Sequence, residues 1–567
     1  MKHLKQIMLF TTLAGVLALA TQAVVFADKS QQVTYLEQNW TEKDREYFYF
    51  ADQGSRLIPY DYFLHLEQAD SIKLFRRDAN MKRIGLIPAL KSKNNPDALP
   101  IGLTRNGDHM GPTCAACHTQ QITYQNETIH IDGGQAFFHL NQFLMDLTAS
   151  LKATLDNPEK FDRFQQRLLG ERGSDKEKEA LKEGLQASYK KRSEHMLRNH
   201  SDVPSGYTRL DAFGAILNQA LLATEVKGNR NSLTAPTSIP YIWDTPQHDY
   251  VEWNGSQSNT GVGALARNIG EVIGVFGEVE TETTHWLGFI DGGYPSSIQT
   301  GELRKLEHVV STLHSPLWPD SFPKIDADLA KEGSGLYEQH CVQCHVDIDR
   351  TNPKRLIQVR MSTIGEVKTD PLMAKNAIDF RGKSGKFEGR PKYYFAGKPL
   401  PAEAPAIDIA NNIMVGVIKN NPLQAYLAKR DAKRLGHPDV TRPPKYVDGK
   451  IVEKGQEVSR SSLLAYKARP LNGVWTSAPF LHNGSVPNLY QLLLPAKERD
   501  QHFHLGSWEF DPKNVGYVLE AGDNDFVFDT TLLGNSNAGH EYGTGAYGKP
   551  PLTEDERWAL VEYLKTL

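Results

Sequence analysis

All four cysteines of the chain lie in two five-residue strings, Cys114-Ala-Ala-Cys117-His118 and Cys341-Val-Gln-Cys344-His345. Two thiols in the pattern C-x-x-C-H form thioether bonds to the vinyl groups of a haem, and the adjacent imidazole becomes the proximal iron ligand. Two such strings predict two covalent haem c groups, one on Cys114 and Cys117 with His118 at the metal, the other on Cys341 and Cys344 with His345. Other uses of these thiols fit less well. A zinc site gathers four nitrogen or sulfur ligands in one place, whereas these pairs stand far apart in the chain and each is followed at once by histidine. A disulfide within C-x-x-C, or a thioredoxin-like redox pair, leaves both histidines without a role.

The first residues read as an export signal. Met1, Lys2, His3 and Lys5 make a positive start, Met8 to Ala20 is an uncharged apolar run, and Val25-Phe26-Ala27 fits a small-x-small cleavage site. The run is shorter than the roughly 20 residues a spanning helix needs, so cleavage near Ala27 is expected rather than a retained anchor. Covalent haem attachment outside the bacterial cytoplasm agrees with this, and a periplasmic or secreted protein without stable membrane insertion is expected. With 40% hydrophobic and 23% charged residues and a net charge of −4, the composition is that of a globular protein and gives no basic surplus for nucleic acid.

A chain from Asp28 to Leu567 is too long for one core, and its halves look alike. Cys114 is followed by Trp253-Asn-Gly-Ser256, and Cys341, at nearly the same offset, by His482-Asn-Gly-Ser485. Ala235-Pro-Thr-Ser-Ile-Pro-Tyr-Ile-Trp243 and Ala468-Arg-Pro-Leu-Asn-Gly-Val-Trp475 precede these turns. Two motifs repeating at matched offsets point to duplication. The expected organisation is a signal peptide 1–27, an N-terminal cytochrome c domain 28–311, a Pro-rich linker 312–326 and a C-terminal cytochrome c domain 327–567.

Within the second half, Asp326 is placed to cap a helix that delivers Cys341. Thr553-Glu-Asp-Glu556 opens a terminal helix with a capping box and apolar residues at Trp558, Leu560, Val561 and Leu564. A charged helical insertion is expected over about 140–200, from Phe143 to Asp156 and from Lys176 to Arg198, the latter as a solvated helix. Pro443 to Gln456 reads as a loop or hairpin. Strand signals are sparse, so the expected fold is mostly α: two cytochrome c domains related by duplication, with long loops.

Several segments together resemble a known group: Leu99-Pro-Ile-Gly102, Thr113-Cys-Ala-Ala-Cys-His-Thr119, Ile131-Asp-Gly-Gly134, Pro240-Tyr-Ile-Trp-Asp-Thr-Pro246, Ala266-Arg-Asn-Ile-Gly-Glu271, the stretch 470–487 and Gly534-Asn-Ser-Asn-Ala-Gly-His540. The chain resembles the bacterial di-haem cytochrome c peroxidase superfamily. Within it, the closer likeness is to the secreted di-haem oxygenases that cleave polyisoprene rubber and to the di-haem fatty-acid dioxygenases. The haem strings alone are generic; the stretch 470–487 and the Gly-Asn-rich string ending at His540 are specific.

The resemblance implies a division of labour: a reactive haem at His118 and an electron-transfer partner at His345. It implies His540 as the second axial ligand of the latter; the peroxidase branch often uses Met there, for which Met361, Met373 and Met414 are the candidates. Trp243 is a candidate relay or distal-pocket residue, with core packing as its plain alternative. Arg267 either pairs with a propionate or forms a surface ion pair. His482 either bonds a propionate or holds its turn. Met110, His130, His139 and Met145 are the nearby residues that would close the first haem if it had a sixth ligand. Peroxide cleavage wants an acid–base group over the iron, and the sequence alone does not single one out. A calcium ion is a further implied cofactor whose ligands the sequence does not locate.

The favoured expectation is a haem-dependent oxidoreductase that activates dioxygen or peroxide at the first haem, oxygenase-like on an alkene-containing lipid or isoprenoid. The alternatives are a cytochrome c peroxidase fed by a small cytochrome or cupredoxin, a non-catalytic electron carrier, and a sensor or maturation enzyme.

Overall fold

The computed structural model describes residues 33–286, 290–437, 445–447, 450–452, 463–522 and 524–567. The expected signal peptide 1–27 lies outside the described residues, as does most of 443–456. The expectation of a mostly α chain needs correction: the fold is mixed, 39% helical and 15% strand, with 17 helices among the described residues. The strands are two to six residues long and pair as ribbons between loops, which is why no long alternating pattern announced them. The Thr119–Tyr124 and Glu127–Asp132 pair closes through Gln125 and Asn126, both at positive φ, in a two-residue hairpin. Lys445–Val447 and Lys450–Val452 form the hairpin expected in that region.

The two helices that the capping signals marked are present. Ala327–His340 starts at Asp326, whose side chain accepts from the amides of Asp328 and Leu329. Glu554–Thr566 starts at a Thr553/Glu556 capping box. They pack against each other closely enough that a Cβ on Gly333 would lie 2.0 Å from the Ala559 carbonyl oxygen, and Tyr337 meets Tyr563 at 5.2 Å. The insertion forms Leu140–Asp156, Pro158–Leu169 and Asp175–Arg198, the last burying only Leu181, Leu185 and Arg192. Its first two helices join Phe63, Phe75, Leu86 and neighbouring residues in one apolar cluster.

The largest core draws on both halves, from Trp40 and Phe48 through Trp243 to Trp475 and Leu564. The segment 312–326 contributes Leu313 and Phe322 to it. A third core packs the apolar helix Ala406–Asn420, from the second half, on Ala212–Leu222 and Gly263–Gly274 from the first. Among the described residues no helix is long and apolar enough to cross a membrane.

Candidate haem centres

Cys114–Cys117 is one turn of helix capped by Thr113, whose hydroxyl donates to the Tyr49 carbonyl at 3.1 Å. Gly102 presses on this turn with φ at +86°, and a Cβ there would lie 2.1 Å from the Ala116 nitrogen. The turn aims His118 so that its Nδ1 donates to the Pro240 carbonyl at 2.9 Å. That bond fixes the tautomer and leaves Nε2 free for a metal. Burial holds the His118 ring neutral, its pKa lowered to about 4.

Cys114, Cys117 and His118 line a largely apolar cavity of about 220 Å³. Its polar groups come from distant segments. Glu271 and Arg267, four residues apart on the helix Gly263–Gly274, both face it, as do Glu252, Lys467 and Arg469. Burial and the Glu252 carboxyl, within hydrogen-bond reach, raise the Glu271 pKa to about 8, with Arg267 opposing. Glu252 reaches this position from a backbone with φ at +66°, a left-handed strain that a non-glycine residue adopts at a cost. Arg267 is compensated: Nη2 pairs with Glu307 at 2.5 Å and Nη1 donates to Asn259 at 3.0 Å.

The four residues near the first motif that could have closed this pocket all lie elsewhere. Met110 is buried among Leu57, Leu103 and Phe138. His130 bonds Gln121 at 3.0 Å, and His139 caps Leu140–Asp156 while packing on Tyr207. Met145 is exposed. Trp243 is wholly buried behind the cavity, stacked on Tyr241 at 4.3 Å and donating to the Asn472 carbonyl at 2.9 Å.

The second motif repeats the proximal arrangement, with His345 Nδ1 donating to the Arg469 carbonyl at 2.6 Å. Here the far side is closed by another histidine. The His540 ring centre lies 6.1 Å from that of His345. Two metal–imidazole bonds of about 2 Å, plus the distance from each nitrogen to its ring centre, require roughly this separation. The turn that presents His540 is strained and clamped: His540 has φ at +52°, its amide donates to the Val367 carbonyl at 2.9 Å, and Arg499 holds the carbonyls of Asn537 and Gly539. The rival methionines are occupied elsewhere. Met361 packs against the Asn254-Gly255 turn, Met373 lines the first cavity, and Met414 lies in the third core. His482 stacks on Tyr466 at 3.9 Å while its carbonyl accepts from the Ser238 amide, so it holds its turn.

Buried polar atoms without partners test whether a haem suits these sites. Arg469 Nε, the Ser238 hydroxyl, both ring nitrogens of His248 and His540 Nδ1 have none. Donors left open around two C-x-x-C-H turns match a group carrying carboxylates and an axially ligated metal, and the residues fit covalent haem. Among the described residues no group of three or more His, Cys, Asp or Glu side chains gathers as a metal cluster, so the implied calcium acquires no side-chain ligand set.

The acid pair and Lys467 and Arg469 escaped the sequence reading. Arg267 and Glu271 share a helix face, and Lys467 and Arg469 are two apart at the end of a strand. Those spacings were the available signals, but nothing in sequence joins the two segments.

The RoxA-like, cytochrome c-like family matches residues 465–504, which include Lys467, Arg469 and the His482-Asn-Gly-Ser485 turn. That match implies covalently bound haem c and a haem-dependent oxidoreductase. The uncharacterized protein y4iJ of Sinorhizobium fredii is 31% identical over 601 aligned residues, covering 95% of this chain and 94% of its own. The uncharacterized protein y4iM of the same organism is 25% identical over 389 residues, covering 64% of this chain and 73% of its own.

Proposed function

The chain belongs to the family of Sinorhizobium fredii y4iJ, and on that premise we propose that it is an exported di-haem oxidoreductase whose substrate chemistry takes place in the cavity at His118. One asymmetry carries this reading. His118 faces a cavity holding the Glu271–Glu252 pair, whereas His345 faces His540. His345 and His540 would hold a haem iron from two sides and suit it to passing electrons, whereas His118 would hold its haem beside a cavity with room for substrate.

Bound haem supplies the redox equivalents for opening an O–O bond. The chain supplies the proton handling. Glu271 keeps its proton to about pH 8 because it is buried beside the Glu252 carboxyl. It can give that proton to the departing hydroxyl, which leaves as water, and take the proton of the other peroxide oxygen in return, the acid–base role that peroxide cleavage demands. Arg267, fixed by Glu307, keeps the pair oriented. Electrons would come from a small cytochrome or cupredoxin and cross between centres through the interlocked segments 240–243 and 469–475. There Tyr241 donates to the Pro470 carbonyl at 2.6 Å, Trp243 to that of Asn472, and Arg469 to that of Tyr241. This favours a peroxide-activating enzyme.

A second reading, dioxygen insertion into an alkene-containing lipid or isoprenoid, is favoured by the apolar cavity wall and the RoxA-like segment.

Two reciprocal contacts support descent from a duplicated haem unit. The Ser238 amide bonds the His482 carbonyl and the Lys467 amide bonds that of Trp253, both at 2.8 Å, so each half pairs with the other's Asn-Gly-Ser turn.

Peroxide turnover with reduced cytochrome, run beside dioxygen uptake with oleate or polyisoprene, tests the assignment. Peroxide turnover lost in Glu271→Gln supports the first reading. Dioxygen uptake that survives this substitution supports the second. Neither activity in protein bearing two haems contradicts both.

A further inference from the structure

We infer that Lys467 and Arg469 form a carboxylate-binding edge of the cavity at His118; this rests on reading that cavity as the haem pocket. The two residues come from the end of the strand Ala465–Ala468, which pairs with Arg360–Thr363. Alternation along an extended strand turns both side chains the same way, and both line the cavity. The Lys467 amide is anchored to the Trp253 carbonyl, while its ammonium meets, among the described residues, only the Tyr250 carbonyl, at 3.4 Å. Arg469 lies 3.6 Å over the Tyr241 ring and spends Nη2 on the Tyr241 carbonyl, but Nε is buried without an acceptor.

Neighbouring cations are matched by acids and these two are not. Arg267 pairs with Glu307, and Arg355 with Asp244. Among the described residues no ion pair joins Lys467 or Arg469 to a carboxylate; Glu252 and Asp249 attract Lys467 only from farther off. An ammonium and a guanidinium side by side in a dry pocket repel each other and have lost their hydration, and burial with Arg469 disfavours the charge on Lys467, so holding both as cations calls for an anion from outside the chain. A guanidinium fork beside an ammonium suits a carboxylate: one planar group receives paired N–H donors and the other a point charge. The unpartnered Ser238 hydroxyl in the same wall offers a further donor.

Carboxylate can come from two sources, the propionates of the haem attached at Cys114 and Cys117 or the head group of a fatty-acid-like substrate. Arg469 has a second connection. Its carbonyl holds His345 while its side chain faces the first cavity, whereas Lys467 lines the first cavity and makes no bond to His345. A change at Lys467 should therefore act on one haem alone.

The test uses holoprotein carrying Lys467→Met, Lys467→Arg and Arg469→Lys. Pyridine haemochrome haem content is measured first, then the midpoint potential of each haem and a spectral titration with laurate. Wild type lacking two haems with one high-spin would defeat the pocket assignment itself and is read before any variant. With that control met, propionate binding lowers the high-spin midpoint in Lys467→Met, restores it in Lys467→Arg, leaves the low-spin haem alone, and makes wild type indifferent to laurate. Substrate binding gives a saturable laurate-induced change in wild type whose Kd rises at least tenfold in Lys467→Met, with the midpoint unmoved. Arg469→Lys, which keeps the carbonyl, should follow the same pattern more weakly and supplies the answer if the Met variant does not fold. Unchanged midpoints together with unchanged laurate response overturn the inference.

Discussion

Replacing Glu271 by Gln keeps the side-chain shape and removes the titrating proton, so its consequences for activity and for stability can be worked out separately. A positioned acid–base group contributes about 10²- to 10⁴-fold to a proton-transfer step, and the peroxide reaction should slow by about that factor while cyanide binding at the same centre is retained. The pH dependence has a definite sign. The Glu271 pKa rises from 4.5 to about 8 because burial and Glu252 disfavour its charge. Below 4.5 the folded and unfolded chains are both protonated there. Between 4.5 and about 8 the unfolded chain releases the proton that the folded one keeps, so stability falls as pH rises, by about 1.4 kcal/mol per pH unit for a fully separated pair of values. Between pH 5 and pH 7 the wild type loses roughly 2–3 kcal/mol that the Gln variant does not lose. Stopped-flow peroxide kinetics from pH 5 to 9 and urea unfolding at pH 5 and pH 7 read both effects. Expected are a slow variant whose rate no longer declines as pH passes about 8 and whose stability varies less with pH than that of wild type. Activity within threefold of wild type with the alkaline limb intact would refute the role given to Glu271.

His540→Ala should convert the low-spin haem at His345 to a high-spin form without detaching it, seen by electronic and EPR spectra, whereas Met361→Leu should leave that spectrum unchanged. Gly102→Ala places a Cβ 2.1 Å from the Ala116 nitrogen at φ +86°, so the Cys114–Cys117 turn must shift. The haem-to-protein ratio should fall from two toward one. Glu67 is buried and bridges Arg163 and Arg167 at 2.8 Å and Lys160 at 3.5 Å. Because those cations are only partly buried, Glu67→Gln should cost about 2–3 kcal/mol in urea unfolding, with both haem spectra preserved.

What was legible in the sequence was local. Two thiols for thioether bonds and an imidazole for the iron fall within five residues, so the two C-x-x-C-H strings stand out locally, and the Asp326 and Thr553 caps marked helices because a cap acts on the next three amides. His540 was reachable through resemblance; its opposition to His345 depends on a left-handed turn clamped by Arg499, which no spacing reveals. The strands were hidden because they are short, and for some the partner is also remote, Arg360–Thr363 pairing with Ala465–Ala468. The acid pair was hidden for the same reason: Glu252 comes from a strained turn and Glu271 from a helix, and only the folded chain makes them neighbours. Proximity to the motif misled for Met110 and His139, whose backbone directions carry them into other packing.

The claim on which all else rests is that the chain holds two covalent haems with unequal axial sites, one capped by His345 and His540 and one left open at His118. EPR of the resting ferric holoprotein, quantified against haem content, measures this directly. The account predicts equal amounts of one high-spin and one low-spin haem, the high-spin signal alone shifting with cyanide. Two low-spin haems that bind no added ligand would contradict it.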